Sequence, residues 1–407
     1  MSVPSSQAAS RRSVGLPTLQ TGIGHFMLAR LLRGANAGSL VVVDASGRTI
    51  VQRGAQPGPD ARIDVKSWRM LSRLISAGHV GFGEAYMAGD FETPDLCALL
   101  TWTMKNEPAL RQIAQGSWPS RIASWLQHFS RSNTPSGSRR NISAHYDLGN
   151  DFYATWLDAG MSYSSALFTN PDQSLEDAQV AKLDRIAAML APERGDRVLE
   201  IGCGWGPLAE RLAAKYGCRL TGLTLSSAQF DYAGKRLAAI DPPADLRLAD
   251  YRSLDERFDQ IVSVEMIEAV GERYWPLYFN TLRRCLRPGG RAVIQAITID
   301  ERAFEGYRAN PDFIQKHIFP GGMLPTITLI RQHARTAGFT LGHAEHFGAS
   351  YARTICEWRR RFQAAAPKLK LMGFDDEFHR KWDYYLAYCE TGFQLGAVNV
   401  GLYTLEG

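Results

Sequence analysis

Arg197-Val-Leu-Glu-Ile-Gly-Cys-Gly-Trp-Gly206 is the stretch on which the fold turns. Val198 to Ile201 is a short apolar run, and glycines follow it at every second position, 202, 204 and 206. Pro207 to Tyr216 then has helical spacing, with Leu208, Leu212, Ala213 and Tyr216 on one side. A strand, a glycine turn and a helix in that order open a binding crevice. The backbone must turn sharply there and let a ligand approach, which a Cβ would obstruct.

The spacing separates two cofactor classes. The dinucleotide fingerprint is G-x-G-x-x-G, with a pyrophosphate on the helix N-terminus. Here Glu200 precedes alternating glycines, giving E-x-G-x-G-x-G. That pattern resembles motif I of the S-adenosylmethionine-dependent methyltransferases, whose cofactor has no phosphate to cradle. Arg219 to Thr224 reads as the next strand, but Thr224-Leu-Ser-Ser-Ala-Gln229 follows it where such enzymes usually place an acid for the ribose.

Working outward, Leu246–Asp250, Gln260–Val264 and Ala292–Ile297 read as further strands. Helices are expected at 175–190, 228–239 and 274–286, between or before these strands. Alternation in short βα units predicts an α/β fold, a doubly wound and mostly parallel sheet of the class I methyltransferase type. Ligands of such sheets sit beyond the strand carboxyl ends, here Gly202, Thr224, Asp250, Glu268 and Gln295. The front of the chain predicts a smaller α+β module, with a hairpin at 39–52, a strand at 63–65 and helices at 24–34, 68–77 and 94–105. Ser, Asn, Thr, Pro, Gly and Arg between Ser132 and Arg140 mark a linker. Two domains are therefore expected: residues 1–135, a lipid- or partner-interacting module with linker, and 136–407, the methyltransferase domain.

Composition sets bounds. The 407 residues are 45% hydrophobic and 21% charged, ordinary for a globular chain of two domains. No run approaches the ~18–20 apolar residues that span a bilayer. Arg11 and Arg12 have no apolar core behind them, so no secretory signal is read. The six cysteines (97, 203, 218, 285, 356 and 389) lack metal-ligand spacing and read as reduced thiols of a cytoplasmic protein. Net charge is only +5, but no acid falls between Glu107 and Asp147, while Arg111, Arg121, Arg131, Arg139 and Arg140 do. Trp118, Ile122, Trp125, Leu126 and Phe129 recur there at helical steps. A greasy face beside arginines suits an anionic membrane surface, and a core helix followed by a solvated linker fits the pattern equally well.

Five blocks then make a specific resemblance. They are His145-Tyr-Asp-Leu-Gly-Asn-Asp-Phe-Tyr153, Leu199–Gly206, Leu223-Thr-Leu-Ser226, Ser263-Val-Glu-Met-Ile-Glu268 and Phe313-Ile-Gln-Lys-His-Ile-Phe-Pro320. Together they resemble the cyclopropane-fatty-acid synthase family, which includes the mycolic acid methyltransferases. The likeness runs from about Asn141 almost to the C-terminus, and Gly83-Glu-Ala-Tyr-Met-Ala-Gly-Asp90 extends it to the longer bacterial members. The Leu-Thr-Leu-Ser block accounts for the missing ribose acid, because the family uses that sequence there.

The resemblance implies methyl transfer from S-adenosylmethionine to a cis double bond of a phospholipid acyl chain. A cyclopropane would form when bicarbonate, held in the site, deprotonates the resulting carbocation. A branched or methylene product is the nearest alternative, and a non-catalytic lipid-binding protein a more distant one. Carried over by motif, the bicarbonate ligands are Glu268, Gln295, Tyr351 and the backbones of Ser165 and Ile297. Ser165 stands where many members have cysteine, and Gln295 where many have histidine. Cys389 matches a cysteine proposed as catalytic, although its place in a stripe with Trp382, Tyr385, Leu386 and Phe393 favours packing. Tyr163 and Ser164 match contacts to the methionine end of the cofactor. Gly202, Gly204 and Trp205 approach its backbone, Thr224, Leu225 and Gln229 flank the ribose, and Tyr251 and Arg252 border the adenine. His145, Asp147 and Trp156 suit structural roles as well. The family likeness places the protein on the inner face of the membrane as a peripheral enzyme and is compatible with a homodimer. Nucleic acid is excluded as a partner: amino-methyltransferases commonly carry D/N-P-P-Y/F after the fourth strand, where this chain has Glu265-Met-Ile-Glu268.

Overall fold

A computed structural model describes residues 17–114, 137 and 148–407. The chain divides into two compact units, Met1–Ser117 and Trp118–Gly407. The expected boundary at 135, the arginine-rich stretch from Trp118 to Arg140, His145 and Asp147 lie outside the described residues.

In the first unit, β1 (Ala37–Val43), β2 (Thr49–Arg53), β3 (Gln56–Val65) and β4 (Phe91–Glu92) form one sheet in the order β2-β1-β3-β4. β1 and β2 make the expected antiparallel hairpin, with Val41 opposite Val51. β3 is longer than expected and runs parallel to β1. The helix Arg69–Met87 continues well past the expected end at Ala77, kinking at Gly78, whose φ of 59° and ψ of −136° leave the helical region. Asp90 closes the Gly83–Asp90 block. Its buried carboxylate takes Arg73 at 3.0 Å and Arg69 at 3.3 Å, and its carbonyl accepts from the N–H groups of Lys66 and Ser67.

In the second unit, β5 (Arg197–Ile201), β6 (Arg219–Thr224), β7 (Asp245–Leu248), β8 (Phe258–Val264) and β9 (Leu286–Ile299) are the expected strands. They run parallel and are joined by β10 (Thr340–His346) and β11 (Val398–Glu406), giving the order β10-β11-β9-β8-β5-β6-β7. β11 lies antiparallel to β9, with Leu402 opposite Gln295 and Val400 opposite Ile297. β10 is antiparallel to β11. The strand order reverses at β5, which pairs with β6 on one side and β8 on the other. That reversal opens a crevice at the carboxyl end of β5. The core under it is built from Leu199, Ile201, Phe258, Ile261, Trp275, Phe279, Ile294, Tyr403 and Leu405.

The helix Leu175–Leu190 precedes β5 and begins where the Ser174 side chain accepts from the Asp177 N–H. Such a cap satisfies one of the four donors that open every helix. No helix among the described residues is long and apolar enough to cross a membrane, and none of their acidic, His and Cys side chains cluster as a metal site.

Candidate active site

The glycine turn is a cradle. Gly202, Gly204 and Gly206 all have positive φ, at 82°, 54° and 85°. The Gly202 and Cys203 N–H groups both donate to the Leu223 carbonyl, at 3.0 and 2.9 Å, which locks the turn to β6. A Cβ on Gly202 would meet Met266 at 3.3 Å, and one on Gly206 would meet Ala233 at the same distance. A Cβ on Gly204 would meet no atom of the described residues within 4 Å. Gly204 therefore borders open space, the property a ligand cradle requires.

Other expected cofactor residues lie on or shortly after the parallel strands β5, β6 and β7. Glu200 is buried and accepts from the Ala209 N–H in the first turn of the following helix. Burial pushes it up to about 8, and one carboxyl oxygen has no protein partner. Thr224 and Gln229 join side chains at 2.9 Å, with Leu225 half-buried between them. The Trp205 indole is buried and donates to Asn150 at 2.8 Å, so only its backbone is available to a ligand. Arg252 forms a close pair with Asp250 at 2.5 Å, its guanidinium over the rings of Tyr251 and Tyr274. The buried Tyr251 hydroxyl has no partner. An orphaned carboxyl oxygen on the strand that leads into an open glycine cradle fits a polar ligand.

Three of the expected bicarbonate ligands, Ser165, Gln295 and Tyr351, converge, but on an unexpected centre. Glu265, directly after β8, accepts three hydrogen bonds. Its Oε1 takes the Ser165 backbone N–H at 2.8 Å and the Gln295 amide at 2.6 Å. Its Oε2 takes the Tyr351 hydroxyl at 2.6 Å. Glu268 receives the Ile297 N–H at 2.5 Å, and its other oxygen is buried without a partner among the described residues. The sequence reading assigned these three donors, together with Glu268, to a bound anion, and in the structure Glu265 takes them.

The surroundings fix these donors. The Glu265 N–H donates to the Gln295 carbonyl at 2.8 Å, joining the end of β8 to the middle of β9. The Tyr351 ring packs on Phe393, with centroids 4.4 Å apart. The loop carrying Ser165 is held by Gln179, which donates to the Ser164 carbonyl at 2.9 Å, and by Thr354, which accepts from the Ala166 N–H at 3.1 Å. Lys182, fully buried, donates to the Ser164 hydroxyl at 2.8 Å. Its charge is felt by Glu265, Glu200 and Asp158.

Electrostatics divide the two carboxyls. Burial raises Glu265 above the usual carboxylate range, opposed by Tyr351, Ser165, Lys182 and Gln295. Burial and the neighbouring Glu265 charge push Glu268 up to about 8, with little opposition beyond the Ile297 N–H. Like charges close together cannot both ionise cheaply, so Glu265, with three hydrogen bonds and Lys182 nearby, carries the charge and Glu268 the proton. The folded state thus retains a Glu268 proton that the unfolded chain releases near the ordinary carboxylate value. That stabilisation is complete below the ordinary value and is lost as pH rises through about 8. We expect wild type to lose urea stability relative to Glu268→Gln between about pH 5 and 8. Parallel stability curves would show instead that Glu268 is ionised throughout.

Aromatic rings pack beside Tyr351, beginning with Trp358 and Tyr163. Tyr163 shares a hydroxyl contact of 2.9 Å with Tyr385, and its ring lies 5.4 Å from both Trp156 and Trp358. Trp156 is fully buried and packs among these rings. Cys389 is half-buried in the helix Asp376–Gln394, and burial holds its thiol well above the usual range. It stays protonated, as a packing role requires.

Sequence reasoning missed Glu265 and Lys182. Glu265 satisfies the strand-end rule that singled out Glu268, but the family motif drew attention to the second acid. Lys182 falls on the same helical face as Leu175, Ala178, Gln179, Ile186 and Ala187, all buried. A lone cation in that apolar stripe was a readable signal.

The chain is similar to known proteins of one family. A model described as mycolic acid cyclopropane synthetase matches residues 133–402. Tuberculostearic acid methyltransferase UfaA1 of Mycobacterium tuberculosis is 40% identical over 350 residues, covering 83% of this chain and 81% of that protein. Cyclopropane-fatty-acyl-phospholipid synthase of Escherichia coli is 35% identical over 338 residues, covering 82% and 85%. Among solved structures, mycolic acid cyclopropane synthase CmaA1 complexed with SAH and CTAB superposes with a TM-score of 0.63 at 30% identity. It covers 66% of this chain and 98% of that one.

Proposed function

The chain belongs to the mycolic acid cyclopropane synthetase family of S-adenosylmethionine-dependent methyltransferases, and from that premise we propose methylation of a cis double bond in phospholipid acyl chains. The observation that carries this reading is the buried carboxyl pair, Glu265 and Glu268, set among aromatic rings in the domain that carries the glycine cradle. An isolated alkene is a weak nucleophile, and methylating it creates a carbocation. The protein must therefore align the alkene, exclude water and remove one proton.

S-Adenosylmethionine supplies an electrophilic methyl on sulfonium when bound. Gly202, Gly204 and the Trp205 backbone would border it, with Glu200, Thr224, Leu225, Gln229, Tyr251 and Arg252 around its sugar and base, and Tyr163 and Ser164 at its methionine end. The rings of Tyr163, Trp358 and Tyr351 offer negative π faces to a developing cation.

Bicarbonate, the base implied by the family resemblance, meets a different situation. The Ser165, Gln295 and Tyr351 donors assigned to it are engaged by Glu265. A second anion would stand beside a buried carboxylate, which is costly. The residues as arranged do not fit that ion.

Ring closure gives a cyclopropane, our principal reading. The likeness to a tuberculostearic acid methyltransferase favours a methyl-branched or methylene product as the second reading. The arginine-rich stretch between Trp118 and Arg140 would bring the enzyme to an anionic bilayer surface. The test is incubation with labelled S-adenosylmethionine and vesicles of cis-unsaturated, anionic phospholipid. Mass spectrometry should show acyl chains gaining one CH2, nuclear magnetic resonance should identify ring or methylene protons, and the rate should fall with salt as screening grows. Absence of label from the lipid would remove the reading.

A further inference from the structure

We propose that Glu265 is the base of the reaction, a protein carboxylate in place of a bound anion, which rests on the methyl-transfer reading above. The groups that would hold a free anion hold this side chain: the Ser165 N–H, the Gln295 amide and the Tyr351 hydroxyl, all within 2.8 Å. A carboxylate has about four lone-pair positions, so three bonds leave one to receive a proton. Two of the three fall on Oε1, which leaves the free position on Oε2, beside the Tyr351 hydroxyl.

The backbone gives a second, independent observation. Glu265 has a φ of 48°, in the left-handed region that a non-glycine residue enters at a cost. Such strain persists only where the surrounding structure over-determines it, and it clusters at active sites. Placing the base on the end of β8 also fixes it relative to the crevice without any diffusing component.

In the reaction, the alkene π pair forms a bond to the transferred methyl carbon, and the carbon–sulfur bond breaks with its pair going to sulfur. The cation left on the chain is then neutralised when a methyl C–H bond breaks. Its proton passes to Glu265 Oε2, and its electron pair closes the third side of the ring. The same proton transfer after a hydride shift along the chain gives a methylene product instead. Glu265 ends protonated and returns its proton to solvent between turnovers.

The experiment compares wild type, Glu265→Gln and Glu265→Gly in single-turnover methyl transfer to unsaturated phospholipid vesicles, in buffer stripped of carbon dioxide and with bicarbonate added back. Glycine suits the positive φ, so that variant keeps the backbone while opening the cage. Wild type should be indifferent to bicarbonate, and Glu265→Gln should slow by at least ~10²-fold, the scale of losing a positioned base. Glu265→Gly should be equally slow without bicarbonate and recover with it or with formate. In parallel, line broadening of carbon-13 bicarbonate should report binding to Glu265→Gly and none to wild type. Wild type that slows on stripping and binds the labelled ion, or a Glu265→Gln variant of full activity, overturns the assignment while leaving methyl transfer standing. Wild type that methylates no unsaturated lipid overturns both.

Discussion

Gly204→Val is expected to abolish measurable S-adenosylmethionine binding while the protein remains folded. The two effects separate because a Cβ at position 204 would meet no atom of the described residues within 4 Å. The new methyl groups therefore project into the cradle, and the overlap falls on the ligand. A cost to folding remains, because the φ of 54° is left-handed and a Cβ there is strained by about 1–2 kcal/mol. Thermal melting should register that loss as a modest shift. Titration calorimetry should show affinity at least ~10²-fold weaker, equivalent to about 3 kcal/mol of lost binding. Wild-type affinity in this variant would mean that the glycine turn does not border the cofactor.

Lys182→Met should be the most destabilising single change in the second unit that leaves side-chain volume nearly unaltered. The ammonium is buried and donates to Ser164, and it offsets the charge of Glu265, with Asp158 and Glu200 close enough to feel it. Burial lowers its own proton affinity, while those carboxyls oppose that effect. Removing the cation leaves buried acids uncompensated, a change that typically costs about 3–5 kcal/mol. Urea unfolding measures this directly. Adding Glu265→Gln to the same chain should restore part of the loss, because the orphaned charge goes with it. A loss below about 1 kcal/mol, the scale of an exposed ion pair, would show that Lys182 is not electrostatically coupled to the site.

Much of this architecture is legible in the sequence because short apolar runs alternate with amphipathic helices. β5 to β9 and the helix Leu175–Leu190 follow from that pattern, and the glycine spacing marks the turn at the carboxyl end of β5. β10 and β11 do not declare themselves. Thr340–His346 is an edge strand of mixed polarity, and Val398–Glu406 is buried on both faces, so neither alternates cleanly. The helix Arg69–Met87 outruns its expected end because Gly78 and Gly81 resemble breakers, while burial of Val80, Phe82 and Tyr86 holds the continuation. In the site, Glu268, Tyr351, Gln295, Ser165 and Ile297 are gathered as the family motifs imply. Which carboxylate stands at their centre depends on the φ of Glu265 and on three hydrogen bonds from distant segments. No local pattern encodes those.

The place of β11 has a consequence for how the molecule is made. Gln295 and Ile297 sit on β9, whose outer neighbour is Val398–Glu406, and β10 can join the sheet only across that same segment. During synthesis, β5 through β10 leave the ribosome before the strand that must lie between β9 and β10. Until it arrives, β9 presents an open edge of unpaired N–H and C=O groups, and the backbone under the amide and carboxyl cage has no second partner. Earlier segments fold as they emerge, but the active site is completed last. The nascent enzyme therefore acquires its cofactor cradle before it acquires a rigid place to put a proton.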